Sequence, residues 1–196
     1  DPSTVVVDPQ INPLGVAFDT YVKETESIDR SGANDLEIGL TSGNRTRSFV
    51  QWDTSGLVGR QVTSRRSTST TGTRSPARPP SGRCGPPVRR ARRRAGTTSR
   101  PGLTREVTST ATKGHNSSCA DGWVSVDGTS LLQRAVNAGQ SRAHMGLRAT
   151  DETSINSIGF KQFRSSQPSE PDQQGRQPYA VVNYNSYPNA LDPLKL

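Results

Sequence analysis

From Arg65 to Pro101 the chain runs for 37 residues without a Leu, Ile, Phe, Tyr, Trp, Asp, Glu, Asn or Lys. It is built there from Arg, Ser, Thr, Pro and Gly, with a few Ala, one Val (Val88) and Cys84. Fixing a backbone costs about 1–2 kcal/mol per residue, and a stretch with so little apolar surface has nothing to offset that cost. A structureless loop of this length is also rare inside a compact domain. Any core must therefore come from the two flanks, and the stretch between them is foreign to whatever fold they make. The full length of 196 residues still leaves room for one sizeable core.

Charge divides the chain at the same places. The formal net charge is +8, which, evenly spread, would suggest a nucleic-acid or membrane partner. Residues 1–64 are net −4, residues 65–102 net +11 and residues 103–196 net +1. The basic character belongs to the middle alone. The run Arg89-Arg90-Ala91-Arg92-Arg93-Arg94 is a pattern that neutralises phosphates, with an affinity that falls steeply with salt. A nucleic-acid-binding arm is thus one reading of it, and a solvated insert is another. No apolar run approaches the 18 residues of a membrane-spanning helix. The chain opens Asp1-Pro2-Ser3 with no basic leader segment and reads as an internal part of a longer protein. One potential disulfide, between Cys84 and Cys119, is compatible with an oxidising compartment.

Both flanks carry the two-residue alternation of β-strands. Thr4 to Val7 is a β-branched run closed by Asp8-Pro9. Phe18, Thr20 and Val22 alternate with Asp19, Tyr21 and Lys23, and Leu36, Ile38 and Leu40 with Glu37 and Gly39. Ser48 to Trp52 places Phe49 and Gln51 on one side and Val50 and Trp52 on the other. In the second flank Trp123 to Asp127, Ala143 to Ala149, the region of Phe160 and Phe163, and Tyr179 to Tyr184 read as strands. Short alternating runs separated by Gly, Asn, Asp, Ser and Pro predict antiparallel sheets with one buried face. One helix is predicted near residues 129–138, with Thr129 as N-cap, Leu131, Leu132, Ala135 and Val136 on one face, and Gly139 as its stop.

Several strings in these flanks resemble a known family. In the first flank they are Phe18-Asp19-Thr20-Tyr21-Val22, Arg47 to Asp53 and Leu57 to Ser64. In the second they are Ala111 to Gly114, Ala120 to Val124, Gly146 to Glu152, Phe160 to Ser165 and Val182 to Pro188. In that order they resemble the two halves of a DNRLRE domain, an extracellular β-sandwich module common in actinobacteria. The resemblance implies an all-β, antiparallel sandwich of jelly-roll type with one short helix. It places the N-terminal half of the module in residues 1–64, the C-terminal half in 103–188, and a linker or truncated continuation in 189–196. It implies a secreted or cell-surface location, within a large Rhs-repeat type protein. It also implies a non-catalytic role, structural or carbohydrate-binding.

The family's middle strands are expected between Ser64 and Leu103, rich in Leu, Tyr and Trp, and they are missing there. Read one base earlier, the codons of Arg65 to Gly72 are compatible with Ala-Thr-Leu-Asn-Leu-Tyr-Asn-Trp. Those from Ser81 to Gly85 permit Trp-Gln-Val-Trp, and those from Arg94 to Gly102 permit Arg-Trp-Asn-Asn-Gln-Pro-Ala-Trp. The last is similar to a Trp-Asn-Asn-Gln-Pro signature of the family. Residues 65–102 accordingly read as the module's own middle strands in a shifted frame. The resemblance further implies that Cys119 pairs with a Cys lost across Pro76 and Ala77, which makes Cys84 an accident of the shift.

Chemistry-bearing residues are sparse. His115 and His144 are the two histidines, and neither has a metal-ligand spacing with Cys. Asp151 and Glu152 are adjacent acids at a strand end, candidate Ca²⁺ ligands whose bland reading is a solvated turn. Asp19 and Asp127 lie next to strands as ligands or turn-formers, and the turn-forming reading is preferred. Trp52 and Trp123 lie in alternating runs and are expected in the core. Tyr21 and Tyr179 are the candidate glycan-binding residues, outward aromatics for stacking on sugars, with Tyr184 and Tyr187 also available. No catalytic constellation is present, and the expected partners are glycans and the rest of a longer polypeptide. With the middle strands absent, each half is expected to keep an apolar face without a partner and to be poorly stable.

Overall fold

The structure is a computed structural model and describes residues 10–63, 107–111, 113, 121–150, 152–153, 160–167 and 175–186. Its strands are β1 (Gln10–Leu14), β2 (Val16–Lys23), β3 (Asp35–Thr41), β4 (Asn44–Asp53), β5 (Arg60–Val62), β6 (Arg142–Leu147), β7 (Lys161–Arg164) and β8 (Ala180–Ser186). Among the described residues one α-helix, α1 (Thr129–Asn137), lies between β5 and β6 in the sequence, and a 3-10 turn (Ser55–Leu57) follows β4. The proposed strand at Thr4–Val7 falls outside the described residues, as do the whole of 65–102 and 189–196.

Two antiparallel sheets result, giving the all-β, sandwich-like architecture expected from the alternation. The smaller has the order β1-β8-β5, and the larger β2-β4-β3-β7 with β6 also paired to β4. The long strand β4 organises the larger sheet. One of its edges carries β2 along most of its length. Its other edge is shared: β3 pairs with residues 44–46 and β6 with residues 48–53. At Gly39, with φ +106°, β3 leaves β4, and its earlier residues Asp35 to Ile38 pair with β7 instead. The buried Ser48 hydroxyl donates to the Glu37 carbonyl at 2.7 Å, supplying a partner where the ladder is interrupted. The β3–β4 hairpin closes through Ser42 (φ +49°) and Gly43 (φ +80°). Positive φ at both central residues is what a tight hairpin turn requires.

The alternation of β4 sets the interior. Thr46, Ser48, Val50 and Trp52 are buried, and Phe49 points outward. Val50 and Trp52 join Leu14, Leu36, Leu57, Val62, Leu132, Ala135, Val136, Ala143, Ala180, Val182 and Tyr184 in one apolar cluster. Full burial of each large member stabilises the fold by roughly 1.5–3 kcal/mol. The cluster draws on both flanks, and so do four pairings: β1 with β8, β5 with β8, β3 with β7 and β4 with β6. The expectation of two halves with unpartnered apolar faces is therefore corrected among the described residues. Each half covers the other.

Three further expectations change. The run Trp123 to Asp127 is not a strand; only Val126 makes an isolated bridge. In α1, Thr129 is the first helical residue and Gly128 the N-cap, and the Asp127 carboxylate just before it accepts the Thr129 N–H at 2.9 Å. Phe18 was in phase for burial by simple alternation, yet it is 38% exposed while Asp19 and Tyr21 are buried. The cause is a register shift between Val16, which faces Trp52, and Phe18, which faces Gln51. One extra residue on one strand exchanges the faces of everything after it. Asp19 then shares the inner face with Val50, and Tyr21 with Ser48.

The end of α1 follows the sequence closely. Gly139 sits at φ +64°, its N–H donates to the Val136 carbonyl, and the Gln140 N–H donates to the Ala135 carbonyl. This double bond with a left-handed glycine is the Schellman arrangement. Leu132, Ala135 and Val136 are turned to the core, and the Gln133 side-chain oxygen accepts the Val62 N–H at 2.7 Å, so the helix also covers the edge of β5.

Candidate functional site

The sequence offers few polar groups with unusual surroundings, and the structure gathers several of them at one end of the sandwich. β1 and β2 meet at a corner containing Pro13, Gly15 and Val16. Pro13 lies where the β1–β8 register shifts between Ile11 and Leu14, a place that tolerates the absence of an N–H. Opposite this corner the chain approaches β8 through Gly175, Gln177, Pro178 and Tyr179, and Ser166 follows β7. Between them is an open cleft of about 380 Å³ lined by those eight residues. Clefts that hold small ligands span about 300–1,000 Å³. None of the described lining residues is Asp, Glu, Lys, Arg or His.

The wall is tied from beneath. The Ser166 N–H donates to Asp19 Oδ2 at 2.6 Å, and the Gln177 side-chain amide donates to the Ser166 carbonyl at 3.4 Å. Asp19 is only 1% exposed, and its Oδ1 is buried without a hydrogen-bond partner among the described residues. Burial pushes its carboxyl above the usual range, and the bond from Ser166 offsets part of that rise. Tyr179 is held from the side. The Trp123 ring meets it edge to face, with centroids 5.1 Å apart and planes at 77°. Trp123 is 42% exposed, which corrects its expected place in the core. The physical reason is the missing strand: without regular pairing at 121–125, no alternation carries the indole inward.

The other sequence candidates are scattered. Tyr21, read as outward, is buried; Arg30 and Lys23 lie 5.5 and 5.9 Å from its ring centre. Burial first, and the Glu37 carboxylate second, push its phenol upward. The reversed face of β2 explains the burial. Tyr184 is also buried, with the Arg60 guanidinium 4.4 Å from its ring centre. Trp52 is in the core as expected, at 3% exposure. His144 is exposed on β6, opposite Gln51. Asp127 is a turn-former, its carboxyl lowered by the hydrogen bonds from Thr129. Asp19, also read as a turn-former, lies inside β2 instead.

Glu152 binds Arg47 with both oxygens, at 2.9 and 2.6 Å, and Asp151 lies outside the described residues. Among the described residues there is no group of three or more His, Cys, Asp or Glu placed for a metal ion. His115, Cys84, Cys119, Tyr187 and the run Arg89 to Arg94 also lie outside them. No described helix is long and apolar enough to cross a membrane.

Of the glycan candidates Tyr21, Tyr179 and Tyr184 among the described residues, Tyr179 stands at this cleft. Sequence reasoning missed Trp123, Gln177 and Ser166 as its companions. The signal was the string Gln177-Pro178-Tyr179, in which a proline fixes the approach to an aromatic. A scan of the chain against family models found no match, and a search of curated proteins found none either.

Proposed function

We propose that the chain is a non-catalytic extracellular module of the DNRLRE type, a jelly-roll sandwich within a larger secreted or cell-wall-associated protein, with a structural or carbohydrate-binding role. The observation that carries this reading is the cleft at Tyr179. Among its described residues it has an aromatic side and amide and hydroxyl groups, which suits a hydroxyl-rich ligand. The two-sheet framework and the family-like strings in both flanks support it further. On this reading residues 65–102 are the module's middle strands in the wrong frame, and the nucleotide sequence across Ser64 to Leu103 tests that directly. The expected codons yield the hidden Leu-, Tyr- and Trp-containing strings; any other sequence in that frame ends the frameshift idea. For the function itself, the test is a glycan array with the full chain. Retention of at least one class of polysaccharide supports carbohydrate binding. A blank array, together with salt-sensitive retention of duplex DNA, transfers the function to the Arg89 to Arg94 run.

A further inference from the structure

The outer face of the larger sheet carries a second arrangement of groups. The register places two cross-strand rows there on β2, β4 and β6: Phe18, Gln51 and His144 in one, and Thr20, Phe49 and Gly146 in the other. We propose that these rows form a stacking platform for a saccharide chain, away from the Tyr179 cleft, and that the chain is built of pyranose rings with equatorial substituents. The inference rests on the carbohydrate-binding reading above and adds to it a surface and a class of sugar.

The rings are placed to stack. Phe18 and Phe49 are 38% and 42% exposed, and they stand on a diagonal between neighbouring strands, about 7–8 Å apart. Phe49 leans over β6 at Gly146, its Cε1 and Cδ1 lying 3.8 and 3.9 Å from where a Cβ would stand. With no side chain beneath it, the ring rests against the strand and turns its other face outward. That face is the negative side of the ring quadrupole and attracts positively polarised C–H groups. A pyranose with equatorial substituents presents C–H groups across its faces, whereas an axial hydroxyl interrupts one of them. The polar groups are available as well. Gln51 is half-buried and His144 exposed, and among the described residues neither side chain is taken up by a hydrogen bond or an ion pair. They stand beside the rings, where they meet the hydroxyls at the rim of a stacked sugar.

The size of the patch sets the kind of partner. Three strands about 4.8 Å apart and two rows about 7 Å apart keep it within roughly 200 Å². A stable protein interface takes about 800 Å² from each partner. Ion pairs stand at both ends of the patch, Arg142 with Asp53 at 2.8 Å and Arg47 with Glu152 at 2.6 Å. A protein would have to cover these pairs to gain area, and taking paired charges out of water is costly. A single saccharide strand fits between them.

The test is retention of the full chain on insoluble cellulose, chitin and mannan, followed by calorimetry with soluble oligosaccharides of the same three chains. Cellulose and chitin have equatorial substituents throughout, and mannan carries an axial hydroxyl on each ring. The expected result is binding to cellulose or chitin above mannan, weakened roughly tenfold by Phe18→Ala or Phe49→Ala and about threefold by Gln51→Ala. Ile28→Ala, which trims an exposed apolar side chain elsewhere, leaves it unchanged. Phe49→Trp keeps a stacking face, so it retains binding and adds an emission change on titration. That variant and Gln51→Ala test the platform even if an alanine variant at Phe18 or Phe49 fails to fold. Binding untouched by the Phe18, Phe49 and Gln51 variants overturns the platform, and its loss with Tyr179→Ala then leaves the module a carbohydrate binder at its cleft. Equal or tighter binding of mannan overturns the equatorial class. No retention on any of the three overturns this inference, and the wider glycan array then decides the reading on which it rests.

Discussion

Asp19 is a carboxylate on the inner face of a strand, 1% exposed, with one oxygen bonded to the Ser166 N–H and the other without a partner among the described residues. Burial outweighs the hydrogen bond, so its carboxyl titrates above its unfolded value. The protonated form is favoured in the fold. Asp19 is therefore best tolerated below the ordinary carboxylate range, and it costs stability as pH rises through the raised folded value. Asp19→Asn keeps an oxygen for Ser166 and removes the charge. Its urea midpoint is expected to exceed that of the parent at pH 7, by on the order of 1 kcal/mol, with the difference closing near pH 3.5. An equal gap at both pH values excludes titration as the cause. Arg47 and Glu152 form the opposite kind of pair, two-pronged and partly open to solvent, with side-chain exposures of 45% and 11%. A double-mutant cycle with Arg47→Ala and Glu152→Ala is expected to give a coupling of about 0.5–1 kcal/mol that shrinks in 1 M salt. A coupling independent of salt contradicts the electrostatic account.

At the level of elements, α1 was the most legible from sequence. Its apolar face, its length and its glycine stop were all written in local chemistry. Gly139 at φ +64° has nothing within 4 Å of a Cβ, so Gly139→Ala meets backbone strain and no steric clash. It is expected to cost about 1 kcal/mol in chemical denaturation, and an unchanged midpoint contradicts the Schellman role. β4 was legible too, since Val50 and Trp52 carry its phase. β2 was misread because a bulge is one residue long and has no composition of its own; its effect lies in the pairing with β4, which no local window contains. The same limit hid the site. Tyr179 could be named, but Ser166 and Pro13 reach it only through sheet order, and Trp123 was drawn inward by an alternation that the fold does not use.

For the molecule as a whole, the described core is shared between the two flanks. Every member of the apolar cluster comes from one flank or the other. Two chains made separately, 1–64 and 103–196, are therefore expected to associate one to one and to melt in a single transition, as judged by light scattering and circular dichroism. Independent transitions, or no association, contradict the shared core. The pairing of β1 with β8 has a consequence in time. The Gln10 side chain bonds the Asn183 side chain across 173 positions, and β8 is the central strand of its sheet. On a ribosome adding about 5–20 residues per second, β1 emerges roughly 10–35 s before the strand it needs. Until β8 arrives, β1 and, later, β5 wait on the nascent chain as open edges, so the hazard for this protein falls during its own synthesis.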